Sequence, residues 1–248
     1  MNEKIKYTKE YYNRDVNIKR YGEAIDNVGL WNSEKIIFKK YINKKDKILD
    51  LGCGAGRTTI NLYKNGYKDI VGLDISDNLI NYAKNYSIEN NLNINFVVGD
   101  ATKLNYQDNS FDVVIFSFNG MQCIPGKKNR DNVLKEVYRV LKPGGYYIFT
   151  AHNRDDSGKF QHVWNEEKIK WENGKQDKNL EMFGDRYSID QTGEIAFVHF
   201  SNIEEMKEFI YQEDFIIIEF IKSTDIAIEN ENTKKFCNPT VFWIVRKK

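Results

Sequence analysis

Cysteine is scarce and poorly placed for a structural role. Cys53, Cys123 and Cys237 are an odd count at wide spacing, with no Cys-x-x-Cys pair. That argues against a disulfide framework and a thiolate zinc site, and it predicts reduced thiols in a cytoplasmic protein. Histidine is equally sparse: His152, His162 and His199 show no metal-ligand spacing, so no metal is expected. The chain has no apolar run of about 18 residues and no apolar stretch near Met1, which predicts neither a membrane span nor a secretory signal. Charge of one sign is missing as well. Lys and Arg number 37 against 36 Asp and Glu, a net charge of +1, so no global field gathers nucleic acid or an acidic membrane. The pairs Lys39-Lys40, Lys44-Lys45 and Lys127-Lys128 read as solvated helix and loop faces. No internal repeat and no low-complexity tract is present.

What is there is alternation. At 248 residues the chain suits one large α/β domain with an insertion, or one and a half domains. Between residues 46 and 152, short β-rich runs alternate with helical patterns, the signature of a doubly wound, Rossmann-like parallel sheet with helices on both faces. Strands are expected at Lys47–Leu51, Ile70–Asp74, Ile94–Val98, Val113–Phe118 and Tyr146–Ala151, each a near-continuous apolar run suited to burial on both faces. Helices are expected near Arg57–Asn65, Asn78–Asn90 and Arg130–Leu141, with Ser76 capping the second and Lys142-Pro143-Gly144-Gly145 stopping the third. Residues 1–45 read as an N-terminal helical cap rich in tyrosine. Residues 153–202 break the alternation and read as an inserted lid or substrate segment. They carry a hairpin: Arg186–Ile189, a turn at Asp190-Gln191-Thr192-Gly193, then Glu194–Phe200. Residues 203–248 resume the core with a helix at Ile203–Gln212 and strands at Phe215–Lys222 and Thr240–Arg246.

Right-handed crossovers put the C-terminal ends of the parallel strands on one edge, where ligands of such sheets bind. At that edge the first strand runs into Gly52, Gly54 and Gly56, which lets main-chain N–H groups approach a ligand closely. A dinucleotide turn wants Gly-x-Gly-x-x-Gly, but here Arg57 holds the third-glycine slot. The second strand ends in Asp74, eighteen positions past Gly56, a spacing that suits a carboxylate accepting from both hydroxyls of a ribose. The third ends in Gly99-Asp100-Ala101. Asp100 can accept from an adenine exocyclic amine while the Ala101 N–H donates to a ring nitrogen. The bland alternatives are a helix-capping Asp74 and a turn-forming Asp100.

Asp50-x-Gly52-x-Gly54-x-Gly56, Asp74, Gly99-Asp100-Ala101, Phe111-Asp112-Val113-Val114 and Leu141-Lys142-Pro143-Gly144-Gly145 together resemble the class I S-adenosylmethionine-dependent methyltransferases, over roughly residues 46 to 152. The pattern is most similar to the small-molecule enzymes of that group. The resemblance implies a seven-stranded, mostly parallel sheet with the last strand antiparallel. It also implies S-adenosylmethionine across the strand ends, leaving as S-adenosylhomocysteine. By position, Gly52, Gly54 and Gly56 would line the methionine half and Asp50 would reach the amino group through its surroundings. Asp74 would take the ribose, Ile75 the adenine face, Asp100 and Ala101 the adenine edge, and Phe116, Ser117 and Phe118 would flank the sulfonium.

Methyl transfer from a sulfonium is an in-line displacement that needs positioning first, and a base only when the acceptor keeps its proton. His152, directly after the fifth strand, and His199, on the second hairpin strand, are the candidate proton acceptors, with His162 behind them. Tyr11, Tyr12 and Tyr21 are candidates for folding over the cofactor. The partner expected is a small-molecule methyl acceptor, with no nucleic acid and no membrane, and the protein is expected as a monomer or homodimer. Three alternatives remain beside it. The acceptor could be a nucleic acid or protein, which the neutral charge and the absence of a basic stripe disfavour for nucleic acid. The chain could be a catalytically silent cofactor-binding regulator, or an NAD-dependent oxidoreductase, which Arg57 disfavours.

Overall fold

Apolar runs that can be covered on both faces make the central sheet, and the computed structural model, which describes residues 3–156, 161–190 and 192–248, has seven strands in it. In chain order these are β1 (Ile48–Leu51), β2 (Ile70–Asp74), β3 (Asn95–Val98), β4 (Phe111–Phe116), β5 (Leu141–Ala151), β8 (Phe215–Lys222) and β9 (Val241–Lys247), arranged β3-β2-β1-β4-β5-β9-β8. β1 to β5 pair in parallel, and β9 runs antiparallel to both β5 and β8. The fold is thus the doubly wound sheet that the alternation predicts, with the seven strands and reversed last strand that the resemblance implies.

Adjacent residues of β1 feed opposite layers, as the two-residue period of a strand requires. Leu49 and Leu51 join Val133, Leu134 and Val137 of α6 (Lys127–Val140) and Met206 and Ile210 of α8 (Ile203–Ile210). Ile48 joins Ile37 and Phe38 of α3 (Asn32–Tyr41) and Leu62 of α4 (Arg57–Lys64) on the other face. A third cluster, with Ile25, Ile60, Ile80 and Phe96, knits α2 (Asp15–Asn27) and α5 (Asp77–Glu89) to the edge of the sheet. Fully burying one such side chain stabilises the fold by roughly 1.5–3 kcal/mol. Ser76 caps α5 as expected, its Oγ accepting from the Leu79 N–H at 3.1 Å.

Two strands, β4 and β5, differ from the sequence reading by more than one residue. β4 starts at Phe111 and stops at Phe116, because Phe118 and Asn119 turn into the left-handed region (φ 53° and 59°) and cannot continue a strand. Lys142-Pro143-Gly144-Gly145 does not separate α6 from β5. The strand already begins at Leu141, which pairs with Phe111, and the register shifts before Val113 meets Tyr146. The Pro-Gly-Gly stretch is a bulge within the strand.

The N-terminal segment is three helices, α1 (Glu3–Tyr12), α2 and α3. The segment after β5 carries α7 (Gln161–Glu172) and a two-stranded hairpin of β6 (Asp185–Ile189) and β7 (Ile195–His199), with Asp190 Oδ1 organising the turn through the Thr192 and Glu194 N–H groups. Gln191 of that turn lies outside the described residues. α1 and the hairpin are tied together: Tyr7 Oη donates to the Ile195 carbonyl at 2.6 Å, and Tyr11 hydrogen-bonds Asp190. Short helices α9 (Ser223–Ile226) and α10 (Glu231–Phe236) link β8 to β9. No helix among the described residues is long and apolar enough to cross a membrane.

One buried ion pair fastens the N-terminal helices to the sheet. Arg57, the first residue of α4, makes a two-pronged contact with Glu34 of α3, both N···O distances 2.7 Å, and donates a further bond of 2.7 Å to the Gly29 carbonyl. Glu34 is fully buried and also accepts from the Trp31 N–H. Removing one partner strands a charge in the interior. Glu34→Ala is therefore expected to cost about 3–5 kcal/mol of stability, read as a lowered urea midpoint; a loss within about 1 kcal/mol, the worth of a surface pair, would contradict it.

Candidate active site

The C-terminal edge of β1, β2, β3 and β4 opens into a cleft of about 950 Å³, counting its mouth. The glycine turn after β1 forms its floor. Gly52, Gly54 and Gly56 all have positive φ, at 63°, 56° and 90°. At Gly54 a Cβ would meet no atom within 4 Å, so nothing in the protein itself requires glycine space there beyond the backbone angle. The open side faces the cleft and leaves room for a ligand against the main chain. Gly56 does not line the cleft. A Cβ there would stand 3.0 Å from Ile60 and Phe96, so this glycine serves helix-on-strand packing. Gly56 also sits at the N-cap of α4 with no side-chain cap, which leaves first-turn N–H groups for a ligand or water.

Asp74 is nearly buried at the end of β2 and both of its oxygens are engaged. Oδ2 accepts from the Gly54 N–H and Oδ1 from the Ser76 N–H, each at 2.8 Å. Burial raises its pKa while those amides pull it down. Each carboxylate oxygen keeps a second lone pair for a ligand hydroxyl. Asp100 accepts on Oδ1 from the Thr102 N–H and hydroxyl at 2.8 and 2.7 Å, so the turn reading occupies that oxygen. Asp50 lies deeper, accepting from the Thr59 hydroxyl at 2.5 Å. Burial pushes its carboxyl up to about 7, against the Thr59 hydrogen bond and nearby Arg57, which pull it down.

Asp50, Gly52, Gly54, Asp74, Ile75, Asp100, Ala101, Phe116, Ser117 and Phe118 therefore all border one cleft, together with Tyr12 and Tyr21. Tyr11 does not border it; its hydroxyl is spent on the hairpin. The two histidine candidates also lie elsewhere. His152 sits beyond the cleft wall, stacked on Phe200 with ring centroids 5.7 Å apart. His199 is buried, Nδ1 bound to Asp185 at 2.9 Å, and borders a separate cavity between α6 and α8. His162 is exposed on α7.

Sequence reading missed the far wall: Ile5 and Thr8 of α1, Cys123 and Ile124 after β4, and Phe236 of α10. Phe236 stacks on Phe118 with centroids 4.6 Å apart. No local pattern marks these residues, because they meet only when segments more than a hundred positions apart pack together. This far half presents phenols, a thiol, a hydroxyl and apolar surface, and no carboxylate. Burial pushes the Tyr12, Tyr21 and Cys123 protons all to higher pKa. No three His, Cys, Asp or Glu side chains among the described residues cluster as a metal site.

Known proteins share this architecture. A family model described as a methyltransferase domain matches residues 48–145. The chain is 32% identical over 156 residues to a demethylmenaquinone methyltransferase of Staphylococcus haemolyticus, covering 60% of this chain and 63% of that protein. It is 32% identical over 117 residues to the human eEF1A lysine and N-terminal methyltransferase, covering 45% of this chain and 17% of that one. The chain spans between 17% and 63% of the length of the curated relatives it matches. A solved SAM-dependent methyltransferase from Methanosarcina mazei superposes with a TM-score of 0.69 at 24% identity, covering 88% of this chain and 98% of that one, which establishes the common fold. Residues 48–145 thus match a methyltransferase domain, and S-adenosylmethionine is the cofactor that this match implies.

The raised Asp50 carboxyl has a consequence for the unliganded protein. Its folded pKa, about 7, lies above the ordinary carboxylate value of 3.8, so this group's contribution to stability is full at low pH and is lost as pH rises through 7. Asp50→Asn is expected to gain stability over the parent chain progressively between those two values. Thermal melts of both proteins across that range check it, and a pH-independent difference would exclude Asp50 as the titrating group.

Proposed function

We propose that this chain transfers the methyl group of S-adenosylmethionine to a small, largely apolar acceptor held against Tyr12, Tyr21, Phe118, Cys123 and Phe236. The observation that carries the reading is the division of one cleft into two halves. One half gathers Asp50, Asp74, Asp100 and the glycine turn with Arg57; the other is lined by Ile5, Tyr12, Tyr21, Phe118, Cys123 and Phe236, aromatic and apolar surface without a carboxylate, with the Arg20 guanidinium over three of its rings.

The first half fits a nucleoside with an amino-acid tail. Asp74, already aimed by the Gly54 and Ser76 amides, would take the ribose hydroxyls on its remaining lone pairs. Asp100 and the Ala101 N–H would take the adenine edge, with Ile75 on its face. Gly52 and Gly54 would admit the methionine half, and Asp50, held by Thr59, would present carboxylate towards its ammonium. Phe116, Ser117 and Phe118 would flank the reacting centre. When bound, the cofactor supplies an electrophilic methyl group on a positively charged sulfur.

The residues of the second half do the remaining work by position. They exclude water and hold the acceptor's nucleophilic atom about 3–3.5 Å from the methyl carbon, in line, where orientation alone supplies much of the acceleration. None of them is poised as a base near neutral pH, since burial holds Tyr12, Tyr21 and Cys123 protonated. The acceptor must then arrive with a free lone pair or an already ionised atom. The similarity to a protein methyltransferase favours a second reading, an amine on a protein. The far wall weighs against it, because it offers no carboxylate to receive a lysine ammonium.

Two measurements test this. Methyl-labelled S-adenosylmethionine, incubated with the chain and separate metabolite, protein, RNA and DNA fractions, is expected to label a small molecule; label in a polymer alone would overturn the acceptor class. In calorimetry S-adenosylhomocysteine should bind and NAD should not. Asp74→Ala should weaken S-adenosylhomocysteine binding by about 1.5–3 kcal/mol, the worth of hydrogen bonds to a charged group, and unchanged affinity would remove the ribose assignment.

A further inference from the structure

Just past β4 the backbone does something costly. Phe118 and Asn119 are successive non-glycine residues with φ of 53° and 59°, and a phenylalanine in the left-handed region is a genuine outlier. Such conformations persist only where the surroundings over-determine them. Here the surroundings are a set of hydrogen bonds converging on Asn119, which is 4% exposed. Its N–H donates to Thr150 Oγ1 at 2.8 Å, and its Oδ1 accepts from the Thr240 hydroxyl at 2.6 Å. Its Nδ2 faces His152 Nε2 at 3.1 Å and Cys237 Sγ at 3.8 Å.

The Asn119 amide places its oxygen on the Thr240 hydroxyl and its nitrogen on the histidine, where the amide N–H donates and Nε2 accepts. His152 Nδ1 lies 3.3 Å from the Pro239 carbonyl, which can only accept. The ring is therefore neutral with its proton on Nδ1, a state that burial also favours. The backbone at His152 is clamped in turn: its N–H donates to Gln122 Oε1 at 2.7 Å and its carbonyl accepts from Gln122 Nε2 at 2.9 Å. The next residue after Gln122 is Cys123, on the cleft wall.

We propose that His152 is a positioning residue: through Asn119 it holds the left-handed Phe118–Asn119 turn and so fixes the Phe118 ring in the cleft against Tyr21, Trp31 and Phe236. Those three rings stand 6.0, 6.0 and 4.6 Å from Phe118, so the side chain that borders the cleft has its orientation set from behind by the histidine network. His152 is too far into the wall to exchange a proton with a ligand there, and it contributes by geometry alone. The proposal rests on the functional reading above, because it concerns the same cleft.

Calorimetric binding of S-adenosylhomocysteine to four variants tests it, with thermal melts reporting the fold of each. His152→Leu removes the acceptor for Asn119 and is expected to weaken binding about tenfold, close to the worth of a hydrogen bond lost in a buried network. His152→Gln keeps an oxygen that accepts from Asn119 and is expected to restore affinity to within about threefold. Phe118→Leu should weaken binding by itself, and adding His152→Leu to it should cost little more, since coupled residues are not additive. Additive losses, or parental affinity in His152→Leu, would overturn the positioning role while leaving the functional reading intact. If the parent chain fails to bind S-adenosylhomocysteine, both fall together.

Discussion

The Glu34–Arg57 pair is the contact on which the rest of the cleft depends. Arg57 follows the last glycine of the turn directly and borders the cleft, with its guanidinium reaching towards α3. There it meets a carboxylate with no exposure, the Gly29 carbonyl and the face of Trp31, whose ring centroid lies 5.0 Å from the guanidinium carbon. A fork of five donors meeting a carboxylate side-on fixes direction as well as distance. The start of α4 and the start of α3 are thereby locked together. Since α1 and α2 precede α3 in the chain, this lock also helps determine where the aromatic residues of the N-terminal helices come to rest.

On the opposite side of the turn the constraint is made by backbone amides. Asp74 reaches back from β2 to hold Gly54 and forward to hold Ser76, so the carboxylate that faces the cleft is itself a structural strut. Under the proposed ribose role, preorganisation of this kind lowers the ordering cost of binding. The helix-capping reading of Asp74 gives way in the folded chain to a bracing one. Ser76 does the capping with its hydroxyl, and Asp74 braces the turn.

Much of this was legible in the residues because it is local. The strand at Ile70–Asp74, the cap at Ser76 and the strand at Phe215–Lys222 are each dictated by a few neighbouring side chains, and they lie where periodicity puts them. The overrun of β4 into Ser117 and Phe118 shows the limit of such reading. An apolar run ending in Phe-Ser-Phe reads as strand, yet the left-handed angles that end it are enforced by Thr150, His152 and Thr240, which arrive from β5 and the approach to β9. His152 reads as a candidate proton acceptor because imidazole titrates near neutral pH. Its two ring nitrogens are instead taken up by Asn119 and Pro239.

The sequence alone determined much of the cleft's first half: the succession of strands along the chain, the edge at which they end, and the glycines and carboxylates that lie there. Crossover handedness and strand period carry these residues to one place without long-range information. Only the tertiary structure decided the other half. Its wall joins α1, the turn after β4 and α10, and residues so far apart in the chain meet through packing that no local pattern encodes. The same holds for Arg57. In the sequence it was the residue that broke a dinucleotide motif, and in the fold it is half of a buried pair whose partner lies 23 positions upstream.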